Sequence, residues 1–107
     1  MNCLSSSVVK LIEEQNLPFP HRLEELTWPA IASLTQSGEP VLLLPVGATE
    51  QHGKHLPINT DTCIATAVCD YASSLSGAYV APPQAYSVSV GHTSKWPGTF
   101  SLSHETL

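Results

Sequence analysis

Three side chains that can hold a metal ion lie within a stretch of twelve residues. Glu50, His52 and Asp61 provide a carboxylate, an imidazole and a second carboxylate. In extended backbone Glu50 and His52 leave the same face of the chain, and the loop that follows is long enough to bring Asp61 back beside them. This mixture of ligands suits Zn²⁺ or Mn²⁺. Spacing alone leaves a second interpretation open, a solvated polar loop on the surface.

The elements on either side of this loop place it where α/β proteins bind ligands. The segment 41–46 is continuously apolar and predicts a strand buried on both faces, which is typical of parallel sheets covered by helices. The loop leaves the carboxyl end of this strand. Asp61 is predicted to be the N-cap of the next helix, whose apolar positions recur at helical spacing and which ends at Gly77: Ile64, Val68, Tyr71 and Leu75.

A second short strand, 78–81, completes a βαβ unit, which is right-handed by default. Alternation over 86–90 predicts an edge strand, and Ser103 is predicted to cap a helix that hardly begins before Leu107. Upstream, Thr27 caps a predicted helix that starts with Trp28 and ends at residues 37–38. Residues 1–21 form a leader, poorly ordered or with a short helix that the prolines at 18 and 20 stop.

Composition excludes several classes of protein. The 107 residues include 4 basic and 9 acidic side chains, and only 12% are charged, about half of the usual ~25%. Four cations cannot build a nucleic-acid-binding stripe. No apolar run approaches the ~20 residues of a membrane span, and the N-terminus lacks the pattern of a secretory signal. Three cysteines without C-x-x-C spacing predict thiols in a cytoplasmic protein.

Three ordered motifs resemble those of one family. VLLLPVGATEQHGKHLPINTD, residues 41–61, resembles the first metal-binding motif of the creatininase (creatinine amidohydrolase) family. ELTWPAI, residues 25–31, resembles the family's opening segment, and YSVSVGHTSKWPGTFSL, residues 86–102, its aromatic-Ser…His…Phe-Pro-Gly-Thr segment. The resemblance covers residues 22–107.

The resemblance implies a fold, a cofactor and a reaction. The fold would be a three-layer αβα hydrolase, of which this chain holds an incomplete N-terminal βαβ part with parallel strands. Glu50 would bind one divalent ion, His52 a second, and Asp61 would bridge them, the ions being Zn²⁺, Mn²⁺ or Fe²⁺. Such a pair activates water for attack on an amide carbonyl. The partners implied are a small-molecule amide substrate and further copies of the chain, in hexamers when full length.

Departures from the family pattern bear on activity. The family's remaining His and Glu ligands come from an Asn-Gly-His-x-(Glu/Gly)-Asn segment, and the sequence has no Asn-Gly dipeptide. We therefore expect residues 22–107 to be the N-terminal part of a C-terminally truncated domain, inactive alone. The alternative is a non-catalytic interaction module or an inactive truncated product. Which amide would be the substrate is not determined by these residues.

Further residues have weaker assignments. Lys54 stands where the family motif commonly has Pro, and it either adds a basic side chain at the mouth of the site or has no effect. His55 is expected to support the metal ligands from outside. His92 is a possible catalytic or site-lining residue. Trp96 and Thr99 belong to a tight turn that packs the indole or forms a shelf for substrate.

Overall fold

In its described part, the protein is an α/β chain with three α-helices and a parallel sheet. The structure is a computed structural model that describes residues 6–92 and 95–107, so Cys3, the first part of the leader and two residues of the third motif lie outside it. The elements, in chain order, are α1 (Ser6–Glu14), β1 (His21–Arg22), a 3₁₀ turn (Leu23–Glu25), α2 (Trp28–Ser37), β2 (Leu42–Leu43), α3 (Thr60–Ser76) and β3 (Tyr79–Val80). None of the helices in the described part is long and apolar enough to cross a membrane.

The sheet contains the predicted βαβ unit and one strand that the sequence did not predict. Its order is β1-β3-β2, and β3 pairs in parallel with both neighbours, Tyr79 opposite His21 and opposite Leu42. The two-residue strand β1 has no apolar alternation, so no sequence pattern indicated it. The central strand carries the core, since Val80 is fully buried.

The apolar segment 41–46 is not buried on both faces. Leu42–Leu43 forms the regular strand, Val46 adds an isolated parallel bridge to Gln84, and β2 is an edge strand. The alternate side chains of this segment are more than half exposed: Leu42, Leu44 and Val46. Among the described residues, α2 contributes Ile31 and Leu34 to a cavity of about 220 Å³ on the Leu42 side of the sheet, and this side is covered only in part. The predicted edge strand at 86–90 is reduced to one isolated bridge, Ser87 with Ser101.

Helix α3 lies on the other face of the sheet and turns its polar side inward. Its buried residues are all polar: Thr62, Thr66, Asp70, Ser73 and Ser74. The predicted apolar stripe points away from the sheet, with Ile64, Val68 and Leu75 about 60% exposed, at 59%, 63% and 59%. The stripe is therefore not the face of α3 that packs on the sheet. Its fourth residue, Tyr71, is half-buried, and its hydroxyl donates to the Gln15 side-chain oxygen at 2.9 Å. Small side chains with local acceptors allow the helix to approach the sheet closely instead.

The ends of α3 are defined by short-range chemistry. The helix begins at Thr60 with Asn59 as N-cap, two residues earlier than predicted, so Asp61 lies in the first turn and is not the cap. It ends at Gly77, whose φ of 76° is the left-handed conformation predicted for this glycine. Helix α2 likewise begins after Thr27 and ends before Gly38, as predicted, although the Thr27 side chain makes no capping hydrogen bond.

Candidate metal centre

The loop from β2 to α3 is folded back on itself by backbone hydrogen bonds. The Glu50 N–H donates to the carbonyl of Ile58 at 2.9 Å, and this bond closes the turn between them. The base of the loop lies on α3, because a side chain on Gly47 would have its Cβ 2.5 Å from the Thr62 Cα. The Thr62 hydroxyl donates to the Ala48 carbonyl at 3.1 Å. These contacts hold the end of the strand against the first turn of the helix, which is where Glu50 and Asp61 must meet.

The three predicted ligands converge. One donor atom from each of Glu50, His52 and Asp61 lies within 4.8 Å of the other two. The His52 Nε2 and the Asp61 Oδ1 are 3.0 Å apart. All three side chains are partly buried, with 18% of the Glu50 side chain and 22% of the His52 side chain exposed. The sequence predicts that the loop folds back to place Asp61 beside Glu50 and His52, and the structure has a loop of this shape.

The hydrogen bonds of His52 orient its ring as a ligand. Its Nδ1 lies 3.0 Å from the Glu50 carbonyl, and since a carbonyl only accepts, Nδ1 carries the hydrogen. In the neutral ring Nε2 therefore presents a lone pair toward the Asp61 carboxylate, which also offers only lone pairs. A proton or a cation between them relieves this repulsion. Two atoms that each bind one tetrahedral ion at about 2 Å lie about 3.3 Å apart, so the observed spacing fits a shared ion.

The electrostatic environment of His52 also favours binding of a cation. The hydrogen bond to the Glu50 carbonyl is the largest cause that raises the pKa of His52, and the Asp61 and Glu50 carboxylates raise it further against a smaller opposing effect of burial. Asp61 lies in the first turn of α3 and adds a carboxylate beside the imidazole. A site that attracts a proton onto imidazole attracts a divalent cation for the same reason.

The other predicted site residues lie around this cluster at different distances. His92 is half exposed and its Nδ1 lies 4.0 Å from the Glu50 Oε2. Thr99 accepts a hydrogen bond from the Gln51 backbone N–H at 3.0 Å, which ties the third motif to the metal loop. Trp96 is exposed and lines a cavity beside the loop. His55 is exposed.

Sequence reasoning left two contributors to this region without a role. Gln51, between the first two ligands, accepts a hydrogen bond from the Gly53 N–H and lines the cavity with Trp96. Lys95 places its ammonium 5.9 Å from the centre of the Trp96 ring. Lys54, whose role stayed open, lines the same cavity. Of these three residues, the sequence marked Lys54 alone, because it stands where the family motif commonly has Pro.

Parallel strands, a helix that follows them and a Glu-His-Asp cluster at the carboxyl end of one strand define an α/β protein with a candidate site for divalent metal. The family model described as Creatininase, creatinine amidohydrolase, matches residues 24–107. The chain belongs to the creatininase family.

Relatives of known description agree with this assignment. The chain is 41% identical over 87 residues to a creatinine amidohydrolase of Pseudomonas putida, covering 78% of this chain and 34% of that protein. It is 47% identical over 74 residues to a mycofactocin precursor peptide peptidase of Mycolicibacterium smegmatis, covering 64% of this chain and 30% of that protein. The chain thus spans about a third of the length of the curated relatives that it matches.

Solved structures show the same fold. A structure described as creatininase Mn superposes with a TM-score of 0.74 at 38% identity, covering 81% of this chain and 35% of that chain. A creatininase variant of the Zn-Zn type superposes with a TM-score of 0.72 at 40% identity, covering 79% of this chain and 34% of that chain. Both descriptions name divalent metals, as expected from the donor set of Glu50, His52 and Asp61.

Proposed function

We propose that the protein is a metal-dependent amidohydrolase that cleaves a non-peptide or cyclic amide C–N bond with metal-activated water. The observation that carries the proposal is the convergence of the Glu50, His52 and Asp61 donor atoms within 4.8 Å on a loop with the family's motif. Divalent ions held there would supply Lewis acidity, which polarises an amide carbonyl and makes water more acidic. Two ions per complete site, and Fe²⁺ as a further candidate metal, belong to this proposal.

Each of the three residues has a defined task before any chemistry occurs. The Glu50 backbone carbonyl fixes the His52 tautomer, so Nε2 is the atom that binds. Asp61 lies in the first turn of α3, and its Oδ1 faces the His52 Nε2 at 3.0 Å. The Glu50 carboxylate completes the set and also lies 4.0 Å from His92, which is placed to exchange protons with groups that approach the cluster.

We propose also that the rest of the metal centre comes from residues outside this sequence. Within the described chain the cluster offers three donors, whereas a tetrahedral site for even one ion needs four ligands, and a water molecule can supply only part of a two-ion site. The share of its relatives that the chain spans supports this view. An in-frame Asn-Gly-His-x-(Glu/Gly)-Asn segment after Leu107 in the coding sequence would supply the missing ligands.

The test is hydrolysis of creatinine and of N-formyl amines by protein loaded with Mn²⁺ or Zn²⁺. In protein extended by the residues that complete the metal centre, we expect turnover that a chelator stops and that Glu50→Gln lowers at least 100-fold, because Glu50 is a proposed ligand. The 107 residues alone should show no turnover. Glu39→Gln is the matched control, since it makes the same change at an exposed position outside the site. Turnover by the 107 residues alone that Glu50→Gln abolishes would refute the need for further ligands. Turnover insensitive to the chelator would refute the metal mechanism.

A second candidate function is a non-catalytic interaction module. The observation that favours it is the exposed apolar surface on α3 and along the segment 41–46. Tight association of chains that bind no divalent metal would support it against the hydrolase. A small-molecule amide substrate, assembly into homo-oligomers and a cytoplasmic location remain proposals, the last supported by the odd number of cysteines without C-x-x-C spacing.

A further inference from the structure

A cavity of about 490 Å³ opens beside the candidate metal centre. Its lining comes from the two motifs that flank it, Gln51, Gly53 and Lys54 from the metal loop and Trp96 and Pro97 from the third motif. Gln51 stands between two of the metal ligands, so the cavity borders the site. Its volume is that of a pocket for a small molecule.

Positive charge is concentrated at this cavity. The whole chain has four Lys and Arg residues and a formal charge of −5. Two of these four cations lie here, because Lys54 lines the cavity and the Lys95 ammonium lies 5.9 Å from the Trp96 ring centre. Arg22 is paired with Asp70 at 2.6 Å. In the described chain no carboxylate lies within 4 Å of the ammonium of Lys54 or Lys95.

The remainder of the lining suits a flat, apolar group. Trp96 is 59% exposed, so its ring is open to a ligand. Pro97 adds a second rigid apolar surface. An indole face offers stacking to a planar group and attracts the lysine ammonium that lies over it. Aromatic and apolar walls with two cations match a molecule that has a planar part and an anionic part.

We propose that this cavity binds the part of the substrate remote from the reacting bond, and that it selects amides that carry a carboxylate on a compact planar or apolar group. Trp96 and Pro97 hold the planar part, and Lys54 and Lys95 hold the carboxylate. The inference rests on the proposed hydrolase function, because it is the adjoining metal centre that makes the ligand a substrate. It predicts discrimination between an acid and its neutral amide of the same shape.

The experiment measures binding without turnover. The probes are N-benzoylglycine and N-benzoylglycinamide, which differ only by a carboxylate in place of a carboxamide. Trp28→Phe leaves Trp96 as the single tryptophan, and quenching of its fluorescence reports binding. Chelator-treated protein is used, so that the carboxylate has no metal to bind. We expect the acid to bind about three- to tenfold more tightly at low salt, as for two partly exposed ion pairs.

Variants assign the preference to the lysines. Lys54→Met keeps an unbranched side chain that is one atom shorter and removes its charge, and we expect it to reduce the acid-to-amide ratio about two- to fivefold. Lys95→Met should act in the same direction. Lys10→Met, on α1 and outside the cavity, is the matched control and should leave the ratio unchanged. A ratio near one in the parent protein, no binding of either probe, or a ratio insensitive to Lys54→Met would each overturn the proposal.

The two proposals fail in different ways. Selective binding of the acid, without metal-dependent hydrolysis of any amide by protein extended to a complete metal centre, would support the anion-binding cavity and refute the hydrolase. Metal-dependent hydrolysis with no preference between acid and neutral amide would keep the hydrolase and refute the cavity's selectivity.

Discussion

At the scale of single residues, the chemistry of the chain is concentrated in His52. It is the single nitrogen donor of the three-residue cluster, and both of its ring nitrogens are engaged, Nδ1 with the Glu50 carbonyl and Nε2 with Asp61, each at 3.0 Å. The backbone bond chooses the tautomer, and the tautomer makes Nε2 a ligand. Metal affinity should therefore depend on this imidazole more than on any other histidine of the chain.

We predict that His52→Ala weakens binding of Zn²⁺ by more than about 100-fold, since removal of partners that merely support a ligand already costs 10- to 100-fold. Titration of the protein against a zinc-chelating dye measures the affinity. His55→Ala is the control, because His55 lies nearby in the sequence but is exposed, and it should change the affinity less than about threefold. Equal losses in the two variants would show that the cluster is not the zinc site.

The site was predictable because it is local in sequence. Its three donors lie on a single loop between one strand and one helix, so a short motif contains all the information that brings them together. The neighbouring cavity was less predictable, because it forms between two segments distant in sequence. The bridge between Thr49 and Phe100 and the hydrogen bond from the Gln51 N–H to Thr99 bring these segments together. Such contacts between distant segments leave no periodic signal in the sequence.

At the scale of elements, the sequence predicted the βαβ unit correctly, but it did not predict which face of its helix packs on the sheet. The apolar residues of α3 have helical spacing, and the usual expectation is that such a stripe faces the sheet. Here the polar stripe does, and two of its hydroxyl groups find partners outside the helix. The Ser73 hydroxyl donates to the Ala78 carbonyl at 2.6 Å and accepts from the His21 N–H at 3.0 Å, and the Thr62 hydroxyl donates to the Ala48 carbonyl. The Ser74 hydroxyl has no partner among the described residues. Satisfied small polar groups can be buried at low cost.

Asp70 is the ionisable side chain among these buried groups of α3. It joins α3 to β1 through an ion pair with Arg22, yet its Oδ1 has no partner among the described residues. Burial raises the pKa of Asp70 above its ordinary value of 3.8, the Arg22 charge and hydrogen bond lower it in part, and the Glu24 charge adds to the rise. The folded protein therefore holds the proton of Asp70 to higher pH than the unfolded chain does.

This difference predicts a pH-dependent effect of Asp70→Asn, a substitution that resembles the protonated side chain. Above pH 3.8, Asp70 loses its proton in the unfolded chain while the folded protein still holds it. The free energy of unfolding of the parent protein therefore falls as the pH rises toward the folded-state pKa of Asp70. The stability of the variant relative to the parent should increase over that window. Urea unfolding of both proteins from pH 4 to pH 7 measures it, and a relative stability that falls with pH would contradict the assignment.

At the scale of the whole molecule, the low content of charged residues is accompanied by exposed apolar surface. Only 12% of the residues are charged, and large apolar side chains are exposed on both sides of the sheet: Val41, Leu44 and Val46 on the edge segment, Ile64, Val68 and Leu75 on α3. Isolated exposed apolar residues are ordinary, but a stripe along a helix marks a surface that associates. The chain spans about a third of its curated relatives, which agrees with surfaces that other parts of the fold or other subunits cover.

The final prediction concerns the oligomeric state. We expect the protein to elute above its monomer mass of 11.4 kDa, and Val68→Glu to shift it toward the monomer, because a charge in the middle of the α3 stripe opposes burial of that stripe. Since Val68 is 63% exposed, the change should alter the free energy of unfolding of one chain by no more than about 0.5 kcal/mol. Size-exclusion chromatography with light scattering measures the mass. Ser33→Glu, an exposed polar position on α2, is the control and should leave the mass unchanged. A monomeric parent, or equal effects of the two variants, would show that the stripe is not an associating surface.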